Sequence, residues 1–133
     1  MTNSKYSAIT IGGIDIELGQ RTTINLPLAR LYTYADMNMP IHVIRGRLPG
    51  PTLFVCAAVH GDEINGVEII RRLLRMKLLN RLRGTLIAVP VVNVYGFITR
   101  SRYLPDRRDL NRSFPGAHGG SLASQLANVF MNE

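Results

Sequence analysis

Seven consecutive apolar residues, Leu53-Phe-Val-Cys-Ala-Ala-Val59, stand between the turn-forming Leu48-Pro-Gly-Pro51 and Gly61. A run that short and uniform, with no polar residue alternating through it, is the pattern of a strand covered on both faces in a parallel sheet. It falls well below the ~18 residues needed to span a bilayer. Beyond Gly61, which permits a tight turn, apolar residues recur at Val67, Ile70, Leu74 and Leu78 with arginines on other faces, predicting a helix over 63–79. Arg83-Gly84 ends that region, and Thr85-Leu-Ile-Ala-Val-Pro-Val-Val92 reads as a second buried strand whose last residues are weakened by Pro90. Parallel strands need a crossover connection, so residues 52–92 are predicted to form one βαβ unit.

The flanks differ in kind. Residues 8–28 alternate apolar and polar side chains, as in Ile14-Asp-Ile-Glu-Leu18, with Gly12-Gly13 and Gly19-Gln20 as turn signals, and read as antiparallel hairpin strands. A third short strand is predicted over Ile41–Arg45. Residues 93–119 show no periodicity, and an irregular loop of that length in a compact domain is usually functional. A helix is predicted from Gly120-Ser121 through Leu122, Leu126, Val129 and Phe130. With 133 residues, 46% of them hydrophobic and 19% charged, the chain can bury one core, which excludes disordered and fibrous classes. Met1–Lys5 lacks a basic region leading into an apolar signal core, and the single cysteine cannot form an internal disulfide, so the expected location is the cytoplasm with no membrane partner. Cys56, inside the apolar run, reads as a small buried core residue rather than a nucleophile.

The net charge is +7, and fourteen of the sixteen basic residues are arginine. From Arg71 to Arg112 eleven basic residues face only two acidic ones, Asp106 and Asp109, so this half of the chain favours anions. Arg71, Arg72, Arg75 and Arg81 fit a solvated helix face.

Two constellations carry chemistry. His60-Gly-Asp-Glu63 follows the first buried strand and opens the helix, a position outside the carboxyl end of a parallel strand where open α/β sheets bind ligands. A histidine and a carboxylate three residues apart can be turned onto one metal ion, and two imidazoles plus one carboxylate, with a fourth position for water, form a catalytic zinc set. Equally, His60 can hydrogen-bond at the strand end while Glu63 complements the helix dipole. The second constellation, Ser101 to Gly116, places Arg102, Asp109, Asn111 and Arg112 in the irregular loop. Asn111-Arg112 can clamp a carboxylate through the planar guanidinium and the amide, or the loop can be a solvated basic segment held by Asp–Arg pairs.

Together these segments resemble the succinylglutamate desuccinylase/aspartoacylase family of the zinc-carboxypeptidase clan. His60-Gly-Asp-Glu63 resembles its first two zinc ligands, Arg102-Tyr103 its substrate-polarising arginine and adjacent tyrosine, and Asp109-Leu-Asn-Arg112 its carboxylate-binding segment. The resemblance runs from about Thr52 to Gly116. It implies an α/β fold with a zinc-carboxypeptidase-like mixed sheet and flanking helices, residues 51–133 being the N-terminal part of a catalytic domain. Residues 1–50 resemble the N-terminal antiparallel β segment of longer bacterial relatives. The implied activity is zinc-dependent hydrolysis of the amide of an N-acyl amino acid. His60 and Glu63 would bind Zn2+, Arg102 would stabilise the oxyanion, Asn111 and Arg112 would hold the carboxylate of a small acidic substrate, and Asp109 and Tyr103 would support them. The family's third zinc ligand, a histidine in an Asp-Leu-His segment, and its general-base glutamate have no counterpart here, and neither His42 nor His118 is expected to replace that ligand. The resemblance therefore implies a truncated chain that is poorly active alone.

Two other readings follow from the same residues. A carboxypeptidase acting on acidic peptide tails needs the same zinc. A basic nucleic-acid-binding module rests on charge alone, without zinc-finger cysteines, an RNA-binding aromatic motif or a helix-turn-helix signature, and is disfavoured. The residue patterns of serine-hydrolase elbows, dinucleotide folds and phosphate loops are missing.

Overall fold

The structure, a computed structural model, describes residues 7–30 and 36–133; the expectation for Met1–Lys5 lies outside them. Six strands and three α-helices follow in the order β1 (Ile9–Ile11), β2 (Ile14–Ile16), β3 (Arg21–Arg30), β4 (Asp36–Arg45), β5 (Leu48–Cys56), α1 (Asn65–Leu73), β6 (Arg83–Val89), α2 (Val94–Thr99) and α3 (Leu122–Asn132). Strands β1 and β2 form a separate hairpin across Gly12-Gly13, both of which take positive φ. The other four strands form a mixed sheet of order β3-β4-β6-β5, in which only the β5–β6 pair is parallel. The predicted strand-crossover-strand unit is thus present, and the N-terminal strands β3 and β4 extend its sheet.

Alternation sets the buried face. Met37, Met39, Ile41 and Val43 of β4 join Ile24 and Leu26 of β3 in the core, while Thr23 and Asn25 point outward. The same core takes in Val89, Val92, Tyr95, Leu110 and, from α3, Ala123, Leu126 and Ala127. Ser121 caps α3, its hydroxyl accepting the Ser124 N–H at 3.2 Å.

Four expectations need correction. The strand predicted over 41–45 is ten residues long, reaching back to Asp36; within it His42 Nδ1 meets the Thr23 hydroxyl at 2.9 Å. Leu48-Pro-Gly-Pro51 does not form a turn but the start of β5, with a register shift between Leu48 and Thr52; prolines are tolerated there because among the described residues β5 has a strand on one side only. Nor is β5 covered on both faces among the described residues: Leu53 is 59% exposed, Phe54 is 48% exposed, and Cys56 is exposed rather than buried. Desolvation nevertheless pushes the Cys56 thiol above its ordinary pKa, away from nucleophilic behaviour. The predicted helix over 63–79 is divided into α1 and a 3-10 turn at Lys77–Arg81. No helix breaker separates them. The Arg21 guanidinium donates to the Leu74 carbonyl, capturing an acceptor that a continuing helix would need.

On α1, Glu68 accepts from Arg71 at 2.6 and 2.8 Å and from Arg72 at 2.8 Å. Those bonds hold its carboxyl down to about 2. A depressed carboxylate pKa stabilises the fold above the unfolded value and loses that contribution as pH falls through the folded one. NMR titration of the Glu68 side-chain carbon should give a midpoint near about 2, moving toward the ordinary glutamate range in Arg71→Gln. An ordinary midpoint in the native chain would show that the pairs do not persist in solution.

Candidate metal and anion site

Beyond β5 the chain does not leave the sheet at once. Ala57 N–H donates to the Val89 carbonyl at 3.0 Å, and Val92 and Asn93 N–H return to the Ala57 and Ala58 carbonyls at 3.0 and 2.9 Å. This ties the segment before His60 to the segment after β6. Ala58, 5% exposed, takes φ 50°, a left-handed conformation unusual for a residue with a Cβ. The turn then closes with the Glu63 N–H on the His60 carbonyl at 3.1 Å. Gly61 is required there because a Cβ would lie 1.9 Å from the Gly96 carbonyl carbon.

The loop predicted over 93–119 contains α2 and a 3-10 turn at Leu110–Arg112. Asn93, fully buried, caps α2: its Oδ1 accepts the Gly96 N–H at 2.9 Å, and its Nδ2 donates to the Arg102 carbonyl at 3.5 Å. Sequence reasoning missed Asn93 and its role. The available signal was an asparagine directly after a buried strand, a helix-start signature. Asp109 caps the 3-10 turn, accepting the Asn111 N–H at 2.9 Å.

These elements bring the two constellations together. His60, 8% exposed, has its Nδ1 3.1 Å from Glu63 Oε1 and its Nε2 3.0 Å from Asp109 Oδ1. The Arg102 guanidinium donates to Asp109 Oδ2 at 3.3 Å and stands 3.8 Å from Glu63. Arg112 Nε is 3.9 Å from Asp109. Burial of Asp109 raises its carboxyl, but the hydrogen bonds from His60 and the Asn111 N–H, with the charges of His60 and Arg102, outweigh it and leave the pKa below the ordinary value. Asp109 thus joins His60 to the arginine loop. Tyr103 and Asn111 are exposed, and neither side chain hydrogen-bonds into the cluster among the described residues.

The donor set can be tested against a metal. Two ligand atoms of a tetrahedral zinc site stand about 3.3 Å apart. The 3.1 Å between His60 Nδ1 and Glu63 Oε1 fits that edge, and a carboxylate on the opposite ring nitrogen is the usual support of a metal-bound histidine. Asp109 lies on the far side of the ring and cannot join the same ion; among the described residues no three His, Cys, Asp or Glu side chains are grouped to hold one. The donor geometry therefore fits two positions of a zinc site, with a carboxylate placed to support one of them. A depression of about 660 Å³ opens beside Ala57, Val59 and Glu63.

A mixed sheet whose parallel strand ends at this cluster is similar to carboxypeptidase-like α/β folds. Residues 49–133 match the succinylglutamate desuccinylase/aspartoacylase catalytic domain, and the chain belongs to that family. Over 93 residues it is 33% identical to N-alpha-acetyl-L-2,4-diaminobutyric acid deacetylase of Halomonas elongata, covering 69% of this chain and 27% of that protein. The crystal structure of a succinylglutamate desuccinylase/aspartoacylase from Rhodobacter sphaeroides superposes with a TM-score of 0.75 at 30% identity, over 86% of this chain and 37% of that one. The product-bound ectoine utilization protein of Ruegeria pomeroyi gives 0.74 at 31% identity, over 88% and 37%. The chain thus spans about a third of the length of these relatives. Among the described residues no helix is long and apolar enough to cross a membrane.

Proposed function

We propose that this chain is the N-terminal portion of a zinc-dependent amidohydrolase that cleaves N-acyl amino acids. On this reading residues 51–133 belong to the catalytic domain and residues 1–50 are its flanking β segment. One observation carries the proposal. His60 presents Nδ1 beside the Glu63 carboxylate while Asp109 holds its other nitrogen, and Arg102 stands against both carboxylates.

Each ring nitrogen of His60 faces a carboxylate oxygen, Nδ1 that of Glu63 and Nε2 that of Asp109. His60 Nδ1 and Glu63 would hold the metal, and Asp109, 3.0 Å from Nε2, would accept the proton on that nitrogen and fix the ring. Zinc, when bound, supplies Lewis acidity that polarises the amide carbonyl and acidifies a bound water. Arg102, whose side chain is 43% exposed, is free to turn from Glu63 to the substrate carbonyl and stabilise the oxyanion. Asn111 and Arg112, both exposed on the same turn, hold and orient the substrate carboxylate. Tyr103, next to Arg102, supports the substrate from the loop. The deacetylase relative points to an acyl amino acid substrate, and the lone cysteine fits a cytoplasmic setting.

With the third ligand and the general base supplied by other residues of the family's domain, the 133-residue chain should bind zinc weakly, and lack of the base should reduce hydrolysis by about 10²–10⁴-fold. Calorimetric titration with zinc should give weak saturable binding that disappears in His60→Ala and in Glu63→Ala. Equal zinc affinity in the native chain and both variants would refute the ligand assignment.

A further inference from the structure

At the start of β5, the opposite end from His60, the register shift between Leu48 and Thr52 leaves a cavity of about 460 Å³. Arg45, Thr52, Arg83 and Thr85 line it, with Gly50 and Gly84 forming part of its wall. Gly84 takes φ +88°, and a Cβ there would lie 2.1 Å from the Pro51 carbonyl oxygen, so the bulge requires glycine.

Arg45 is 6% exposed, and no carboxylate pairs with it among the described residues. All nine acidic side chains of the chain lie in that described part. Its Nη1 and Nη2 donate to the Ile16 and Ser7 carbonyls, each at 2.6 Å, and its Nε is buried with no partner among the described residues. Two neutral carbonyls orient the guanidinium without balancing its charge, and an uncompensated buried charge is strongly unfavourable. Thr85, also 6% exposed, places its side chain on the cavity wall. Arg83 adds a second guanidinium at the rim, and Thr52 a second hydroxyl. Two cations and two hydroxyls around one cavity, whose remaining wall includes Ile9, Leu18 and Pro49, are complementary to an oxyanion with a short apolar portion or none.

We propose that this cavity is a binding site for a small free oxyanion, a phosphate or a dicarboxylate, separate from the His60 site. The test is an amide NMR titration of the 133-residue chain with inorganic phosphate and, in parallel, with succinate, at constant ionic strength. Saturable shifts are expected at Thr52, Gly84 and Thr85 with at least one of them, and the tighter arm identifies the class. Arg83→Ala, at the exposed rim, should weaken that binding roughly tenfold while leaving the spectrum folded. Thr52→Val should weaken it in the same direction. The proposal is overturned if neither anion shifts those amides, if the shifts are confined to the Arg102–Arg112 loop, or if both rim variants bind as the native chain does.

Discussion

Gly61→Ala should dismantle the candidate site and destabilise the chain by about 3 kcal/mol or more, the upper part of the overpacking range. The added Cβ would stand 1.9 Å from the Gly96 carbonyl carbon, 2.3 Å from its oxygen and 2.3 Å from the Phe97 nitrogen. All three are backbone atoms, so no rotamer change relieves the clash. Either the His60–Glu63 turn moves away from α2, or α2 moves away from Asn93. The second route breaks the Asn93 cap on the Gly96 N–H and disturbs its contact with the Arg102 carbonyl. Both routes separate His60 from Asp109. Urea unfolding measures the effect. Gly119→Ala is the control: nothing lies within 4 Å of its Cβ, and its stability should stay within about 0.5 kcal/mol of the native chain. Coincident unfolding curves for Gly61→Ala and the native protein would show that the close approach to α2 does not exist in solution.

The parts legible in the sequence are those written in local spacing. His60 and Glu63 share one turn, and the alternation in 8–28 and the apolar runs after Thr52 identify strands without reference to the rest of the molecule. Environments set by distant residues were not legible. The apolar run at 53–59 predicts a covered strand, yet coverage depends on what packs above and below the sheet, and among the described residues Leu53 and Phe54 stay about half exposed. Cys56 was misread for the same reason. At the break after Leu73 the Leu74 carbonyl accepts from Arg21, more than fifty residues earlier in the chain, and no propensity in 74–77 foretells the break.

The link between the two halves of the site follows the same rule. Arg102 and Asp109 read as members of an arginine-rich loop, and nothing in their spacing says that Asp109 reaches the ring of His60. That contact depends on Asn93, Gly61 and Gly96, which let α2 sit against the His60 turn. Small residues that allow close approach leave almost no periodic signal, although they decide whether the two constellations meet.

Two substitutions at Asp109 separate its roles in the proposed zinc site. Asparagine retains an oxygen able to cap the 3-10 turn at Leu110–Arg112 and to accept the His60 Nε2–H, but loses the negative charge. Alanine loses all three. Loss of the carboxylate behind a metal-ligating histidine typically weakens metal binding by ~10–100-fold. Asp109→Asn should therefore bind zinc about tenfold more weakly than the native chain, and Asp109→Ala should approach the hundredfold end. The cap provides an internal check: amide exchange at Asn111 should quicken in Asp109→Ala and change little in Asp109→Asn, because only alanine removes the acceptor of that N–H. If zinc affinity fell only in step with Asn111 exchange, Asp109 would act by holding the turn. Loss of affinity in Asp109→Asn with the turn intact would instead show its charge acting through the imidazole, as the 3.0 Å contact with His60 Nε2 requires.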